Sequence, residues 1–489
     1  MIDDISNLIL EKLSMYDKIN FLCTSKVSSS LDVNFDESVD YSEICDSGYF
    51  NNFTNLKIYD TDGDIVLPSK IKKIFISLHM TKMNLDVLKK ANTLYHINLN
   101  YSHAIGDCLP DTVTHLTFGK WFDQDIKNCL PKNITHLIFG KLFNRNINDC
   151  LPANLILLTF GKRFNKNIID CLPNKIKYLT FGYYFNQSIS DCLPNSIRHL
   201  TFGECFNKDI KGNIPINTTH LTLGYNFDKN IRDCLPNSIR HLIFASHYNN
   251  SIKNCLPNYI TNLTLGFDFN QEIKDCFPNT ITHLIFGTNF NRNINNYLPN
   301  TITHLTFGYD FNQNIKDCLP DSITHLTFGF SFNQNIKDCL PDNIRHLIFG
   351  FSFNQNIKDC LPNNITHLTF GESFIQDIKD CLPNSITHLV FGDLFNQNIK
   401  DCLPNSITHL VFGDLFNKNI RGCLPTSLIK ITFGHFYKYN LHRALPKSVT
   451  HLTFRTNNYF DSEANIYFRH HIPTSIKKLR IGDNVIILK

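Results

Sequence analysis

With 489 residues, 42% of them hydrophobic and 18% charged, the chain is long enough for several ordinary domains or one long array, and it can bury a core. Its 47 basic and 43 acidic residues nearly cancel, to a formal net charge of +4, which gives no ground for a nucleic-acid or membrane-surface partner. No apolar run approaches a membrane span and "MIDDISNLIL" lacks the basic start of a secretory signal, so an intracellular, cytoplasmic location and free thiols for the 17 cysteines are expected.

The first element, residues 1–31, contains no Pro or Gly, and its apolar residues recur at three and four. Ile5, Ile9 and Leu13 form one stripe and Ile19, Phe21 and Leu22 a second cluster, which predicts two or three short helices. An acidic stretch, 32–48, reads as a linker. Residues 49–105 then hold three weak coils, marked by Phe53, Leu56 and Ile58, by Ile71, Ile74 and Ile76, and by Leu94, Ile97 and Leu99. All three keep an apolar spacing of three, then two.

From 106 to 455 the chain repeats. Pro110 and Pro446 are sixteen steps of 21 residues apart, and every step lands on a proline. One unit is represented by Cys318, Leu319, Pro320, Ile323, Leu326, Phe328, Gly329, Phe332, Asn333, Asn335 and Ile336. The Leu-x-Phe step is strand-like and the glycine and Phe-Asn step mark a turn. A 21-residue unit is too short for a strand, a full helix and two connections, and about seven apolar residues per unit cannot be buried by that unit alone. Stacked units bury them, each strand pairing with the next at about 4.8 Å. A last coil, within 456–489, keeps the spacing at Ile476, Leu479 and Ile481. The expected fold is a mostly β solenoid of about 21 coils of 21 residues with weak coils as caps.

The core pattern Leu-Pro-x-x-Ile-x-x-Leu-x-Phe resembles the leucine-rich repeat of the α/β horseshoe class. The full unit, with Phe-Asn-x-x-Ile ahead of Leu-Pro, is similar to the FNIP repeat family, which is grouped with leucine-rich repeats and is typical of amoebae and of large viruses that infect them. Residues 1–31 resemble an F-box through Asp4, Ile5, Ile9, Leu10, Leu13, Asp17, Ser25 and Lys26, with Met1 and Ile2 where that motif has Leu-Pro. Together the resemblances imply a substrate-recognition adaptor of a cullin-RING ubiquitin ligase. Ile5, Ile9, Leu10, Leu13 and Ile19 would dock a Skp-type linker protein of the cullin complex, and the coils would bind a target protein. A scaffold with no ubiquitin connection, its N-terminal helices merely capping the solenoid, stays open as the alternative.

Four residue types recur at fixed places in the coil. Thirteen of the 21 histidines lie five residues after the proline, including His283, His304, His325, His346, His367, His388 and His409. With Leu326 and Phe328 facing inward, His325 and Thr327 face outward, which in a leucine-rich solenoid is the concave face. The ladder is read either as a surface row bonded to neighbouring threonines or as a recognition stripe. Metal binding needs convergent ligands and catalysis an orienting acid and a nucleophile, and a straight row supplies neither, so no cofactor and no enzyme activity are expected. Fourteen cysteines lie two before the proline, without any C-x-x-C, and read as buried spacers. Asn333, Asn354 and Asn396 read as partners of turn backbone or as a polar ligand stripe. Lys316 and Asp317, with their copies, read as a solvated edge of mutually cancelling charge.

Overall fold

The computed structural model describes residues 35–45, 50–59, 65–77, 85–100, 102–439, 441, 443–455 and 473–487. The head segment 1–31, and with it Ile5, Ile9, Leu10, Leu13 and Ile19, lies outside the described residues. The chain divides into two compact units, Met1–Tyr225 and Asn226–Lys489. The 21-residue period runs through this division unbroken, so the sequence carries no sign of it.

The first unit begins with β1 (Phe35–Asp40), β2 (Phe53–Tyr59), β3 (Lys73–Ser77) and β4 (His96–Asn100), each parallel to the next. Segment 32–48 is therefore not the plain linker expected from its acidity. Phe35–Asp40 adds a strand to the sheet, and Tyr41–Ile44 follows as one helical turn, capped by Asp40 accepting from the Ser42 N–H at 3.0 Å. The acidic residues hid it, since strand pairing uses backbone and needs only one apolar face. Six more strands follow, from His115–Phe118 to His220–Thr222, with consecutive ones paired in parallel at intervals of 21 residues.

The second unit repeats this from His241–Ile243 to His451–Phe454, in register throughout: His304 pairs with His325, Leu305 with Leu326 and Thr306 with Thr327. Most coil strands are only three residues long. Three tight turns account for the rest of the coil. The Ile323 N–H donates to Pro320 O (3.2 Å), Phe332 N–H to Gly329 O (3.4 Å) and Cys339 N–H to Ile336 O (3.1 Å). At the C-terminal end Lys478–Ile481 pairs in parallel with His451–Phe454, and Asn484–Ile487 turns back antiparallel through Gly482, whose φ is +56°. That hairpin covers the edge that a further coil would otherwise occupy.

Each coil contributes the same core. Ile323, Leu326, Phe332 and Ile336 have no measurable exposure and Phe328 almost none. Phe328 and Phe332 stack 3.8 Å apart within the coil, and each meets its copies in the next at 5.7 Å (Phe328–Phe349) and 6.2 Å (Phe332–Phe353). This stacking is what the two phenylalanines of each regular coil do. Burying one such ring is worth about 2–3 kcal/mol, so the interface between coils carries most of the stability.

Two backbone constraints set the remaining letters. A Cβ on Gly329 would lie 1.7 Å from Gly308 O of the preceding coil, so glycine fits the strand-to-turn step without a backbone shift, and Ala245 and Arg455 are the residues that take this place in their coils. In the third turn the residue before the cysteine has positive φ: +56° at Asp317 and Asp338 and +55° at Asp359, with Gly212 and Gly422 at the same place in their coils. Asp, Asn and Gly adopt this conformation at low cost. The aspartate of the Lys-Asp pair is thus a turn residue before it is a charge, and its lysine's N–H is held by Asn335 Oδ1 at 2.9 Å in the Lys337 case. Arg443 has φ +55° at this position without glycine's freedom or a short polar side chain. Arg443→Gly should therefore raise stability by about 1 kcal/mol, whereas Gly329→Ala should lower it, because Gly308 O must move to admit the Cβ as the backbone beside Ala245 already does. Urea denaturation of the two variants measures both.

Candidate functional site

The outward rows of the sheet make the most regular surface of the molecule. Leu326 and Phe328 are driven inward by burial, so alternation along the strand turns His325 and Thr327 out. In-register pairing sets each histidine beside the next. From His283 to His409 seven imidazoles stack without interruption, with centroid spacings of 4.2 Å (His283–His304), 4.1 Å (His304–His325), 4.3 Å (His325–His346), 4.2 Å (His346–His367), 4.1 Å (His367–His388) and 4.2 Å (His388–His409). The first unit carries shorter runs, His96–His115–His136 at 5.6 and 4.2 Å and His199–His220 at 3.9 Å, with Tyr178 stacked on His199 at 4.7 Å. In the second unit Asn262 interrupts the row before His283 and Lys430 after His409.

The threonine before each histidine orients the ring. Thr324 Oγ1 is 2.9 Å from His325 Nδ1 and 3.1 Å from Thr303 O, and the same pair of contacts recurs at Thr303–His304, Thr387–His388 and Thr408–His409. One ring nitrogen is thereby tied, and Nε2 of His325 makes no hydrogen bond among the described residues. His346 follows Arg345 instead and lacks the threonine partner. Both rival readings of the row thus have a foothold: the rings are anchored to threonine, and Nε2 of His304, His325, His388 and His409 makes no hydrogen bond among the described residues. The Thr-His dipeptide carried this signal, but it is the preceding threonine, not the following one, that makes the bond.

Partial burial favours the neutral form of five imidazoles in the row. His325 is pushed down to about 4, first by loss of solvation and then by the neighbouring imidazoles, and His304, His367, His388 and His409 are lowered for the same leading reason. Mutual repulsion ranks second at His304, His325, His367 and His388, because the rings shield one another from water, and at His409 the Lys430 ammonium ranks second. The unfolded chain, with histidine near 6.5, then binds more protons than the folded one as pH falls from about 6.5 towards 4. Stability is complete above that window and is lost within it. Replacing His325, His346, His367 and His388 with Gln should flatten this acid limb, seen as a smaller fall in melting temperature between about pH 7.5 and pH 5.5, with little change at the upper end.

The other repeated rows are structural. Asn333 N–H donates to Asn312 Oδ1 and Asn354 N–H to Asn333 Oδ1, each at 2.9 Å, and Asn417 N–H to Asn396 Oδ1 at 3.0 Å, so the asparagine amides are spent on backbone of the next coil. Cys339 Sγ donates to Lys337 O at 3.1 Å, and burial raises the thiols, to about 11 at Cys276 and Cys402. Ten of the fourteen corner cysteines are buried, and Cys129, Cys150, Cys381 and Cys423 are half-buried. Among the described residues no three His, Cys, Asp or Glu are grouped to hold a metal ion. A thiol reagent near pH 8 should label the four half-buried corner thiols first, and the other ten only after denaturation.

The FNIP repeat matches the chain nine times, at residues 100–142, 122–163, 164–205, 206–247, 248–289, 269–310, 311–352, 353–394 and 395–436, which is more than half of its length. The chain belongs to the FNIP repeat family. The crystal structure of CroV588, described as a novel circular LRR protein structure, is 38% identical, with a TM-score of 0.72 over 88% of this chain and 72% of that one. Leucine-rich repeat proteins from Bacteroides ovatus and Eubacterium ventriosum match at 11% identity, with TM-scores of 0.12 and 0.16, over 84% and 87% of this chain and 92% and 87% of theirs. Among curated proteins no match is found. The FNIP coil is thus a leucine-rich-repeat-like parallel solenoid coil, and its outward strand row is where this chain keeps its histidines.

Proposed function

We propose that this FNIP protein is a non-catalytic recognition scaffold that binds a protein target on the strand face of its second unit. The observation that carries this reading is the unbroken seven-histidine row, His283–His409, with Nε2 of its threonine-anchored rings unbonded among the described residues. A repeat solenoid offers a long, rigid surface at the cost of few side-chain degrees of freedom, which suits protein–protein interaction. The breaks at Asn262 and Lys430 bound the stripe and give otherwise repetitive coils an address. Replacing His325, His346 and His367 with Ser should release a target recovered by affinity purification and mass spectrometry while the melting transition at neutral pH is kept. Retention of every partner by that variant speaks against the stripe.

The finer proposal is an adaptor of a cullin-RING ubiquitin ligase acting in the cytoplasm, in which residues 1–31 dock a Skp-type linker. Its support is the F-box-like order of Asp4, Ile5, Ile9, Leu10, Leu13 and Asp17 ahead of a recognition array. Ile9→Asp with Leu13→Asp places charges where apolar contacts are required, at a cost of roughly several kcal/mol, and should abolish capture of a Skp-type linker while the coils stay folded. Linker capture that survives the double variant, or that wild-type protein never shows, leaves the scaffold reading without a ubiquitin connection.

A further inference from the structure

Each anchoring threonine hydroxyl touches two polar atoms and has one proton to give. Thr324 Oγ1 lies 3.1 Å from Thr303 O and 2.9 Å from His325 Nδ1. A hydroxyl oxygen that close to a carbonyl oxygen needs its proton between them, because facing lone pairs repel. The hydroxyl therefore donates to the carbonyl and accepts from the ring. That places the ring's proton on Nδ1 and leaves Nε2 a bare lone pair. The same two contacts, at 3.1–3.3 Å to the carbonyl and 2.9–3.0 Å to Nδ1, recur at the threonines before His283, His304, His367, His388 and His409.

The second unit thus carries two runs of three acceptors, His283–His304–His325 and His367–His388–His409. Between them lies His346, which follows Arg345 and has no threonine. Within the runs the rings are 4.1–4.2 Å apart. The next outward residues along the strands, Ile285, Thr306 and Thr327 in one run and Thr369, Val390 and Val411 in the other, are all uncharged. Cations stand only at the borders of the runs, as Arg345 beside His346 and as Lys430, paired with His409.

Such a row offers nothing to an acidic or phosphorylated ligand, which needs donors. Stacked rings also point their lone pairs side by side, whereas a metal ion needs them to converge. A primary ammonium suits the row. Its N–H groups diverge at tetrahedral angles, so hydrogen bonds of about 2.9 Å reach two acceptors about 4–5 Å apart, close to the ring spacing. We propose that the target of the strand face is recognised through lysine side chains, each ammonium seated between two neighbouring imidazoles and donating to their Nε2 atoms. This rests on the reading of that face as a recognition surface and adds the chemistry it selects. Repulsion between adjacent ammonium groups favours one lysine per run, so a target presents two lysines, one on each side of His346.

The proton placement is tested without any target. In long-range 1H–15N spectra of histidine-labelled protein at about pH 7.5, a unit above the usual histidine range, the six rings of the two runs should carry their proton on Nδ1. Replacing Thr303, Thr324, Thr387 and Thr408 with Val removes the acceptor, keeps the shape, and should move the proton of four rings to Nε2. Binding is tested with an extended peptide of alternating lysine and serine, its lysine-acetylated form, and the matching glutamate peptide. At about 300 mM salt the lysine peptide should bind the wild-type chain at least about tenfold more tightly than the other two. The valine variant should lose this preference, and the variant with Ser at the same four threonines, which keeps each hydroxyl, should retain it. Melting transitions at neutral pH verify that both variants are folded. Wild-type rings protonated on Nε2, or no preference for lysine, would overturn the proposal. So would a preference that survives in the valine variant, since it then belongs to carboxylates elsewhere on the coils. A target that is released by His325→Ser, His346→Ser and His367→Ser, yet binds the wild-type chain equally well after acetylation of its lysines, keeps the strand face as a recognition surface and overturns the lysine reading alone.

Discussion

In this chain every side chain at a repeated position of a regular coil must tolerate a copy of itself about 4–6 Å away. In-register parallel stacking of equal 21-residue coils imposes this, and few residue types satisfy it without cost. Flat apolar rings do, as the 5.7 Å spacing of Phe328 and Phe349 shows. Carboxamides do as well, because each is at once donor and acceptor, and Asn333 can accept from the next coil's backbone. Charges tolerate the arrangement only at the solvated edge, and histidine tolerates it by staying neutral. The composition of the repeat follows from this single condition more than from any local propensity.

The same condition explains what could be read from the letters. The period, the inward Ile-Leu-Phe positions and the outward histidines are direct consequences of like-on-like stacking and were visible as repetition. The individual hydrogen bonds were not. Asp317 looked like half of a charge pair, because sequence shows the carboxylate and hides the φ of +56° that selects it. Phe35–Asp40 looked like a connection, because its charged residues mask a strand whose pairing with Phe53–Tyr59 is made by backbone alone. Thr324 was noticed as a neighbour of His325, but which threonine binds which ring depends on side-chain direction, and spacing does not encode that. The division between Tyr225 and Asn226 has no counterpart in the period at all.

The candidate surface was legible in part for the same reason. A recurring histidine announces a row, and the structure supplies its continuity and its anchoring. The column after the repeat glycine announces nothing, since its residues change type from coil to coil, as Lys162, Glu204, Thr288, Phe330 and Asp393 show. Its alignment emerges only when the coils are laid over one another and the ladder joining Ser352 N–H to Phe330 O is seen to hold that column at fixed pitch. Positions that vary within an otherwise uniform coil are free of the stacking condition, so they are where a repeat array can carry information.

The near-identity of the coils at 311–331, 332–352 and 353–373 has a consequence for how such a chain changes over generations. Phe353 rests on Phe332 as Phe332 rests on Phe311, each at 6.2 Å. Excision of 21 residues from Phe332 would bring Phe353 onto Phe311 across a junction of the same shape, and duplication would do the same in reverse. Length is therefore a heritable variable that moves in whole rungs, without a folding defect at the seam. A lineage can lengthen or shorten its histidine row by recombination alone, and selection then acts on reach before it acts on any single residue.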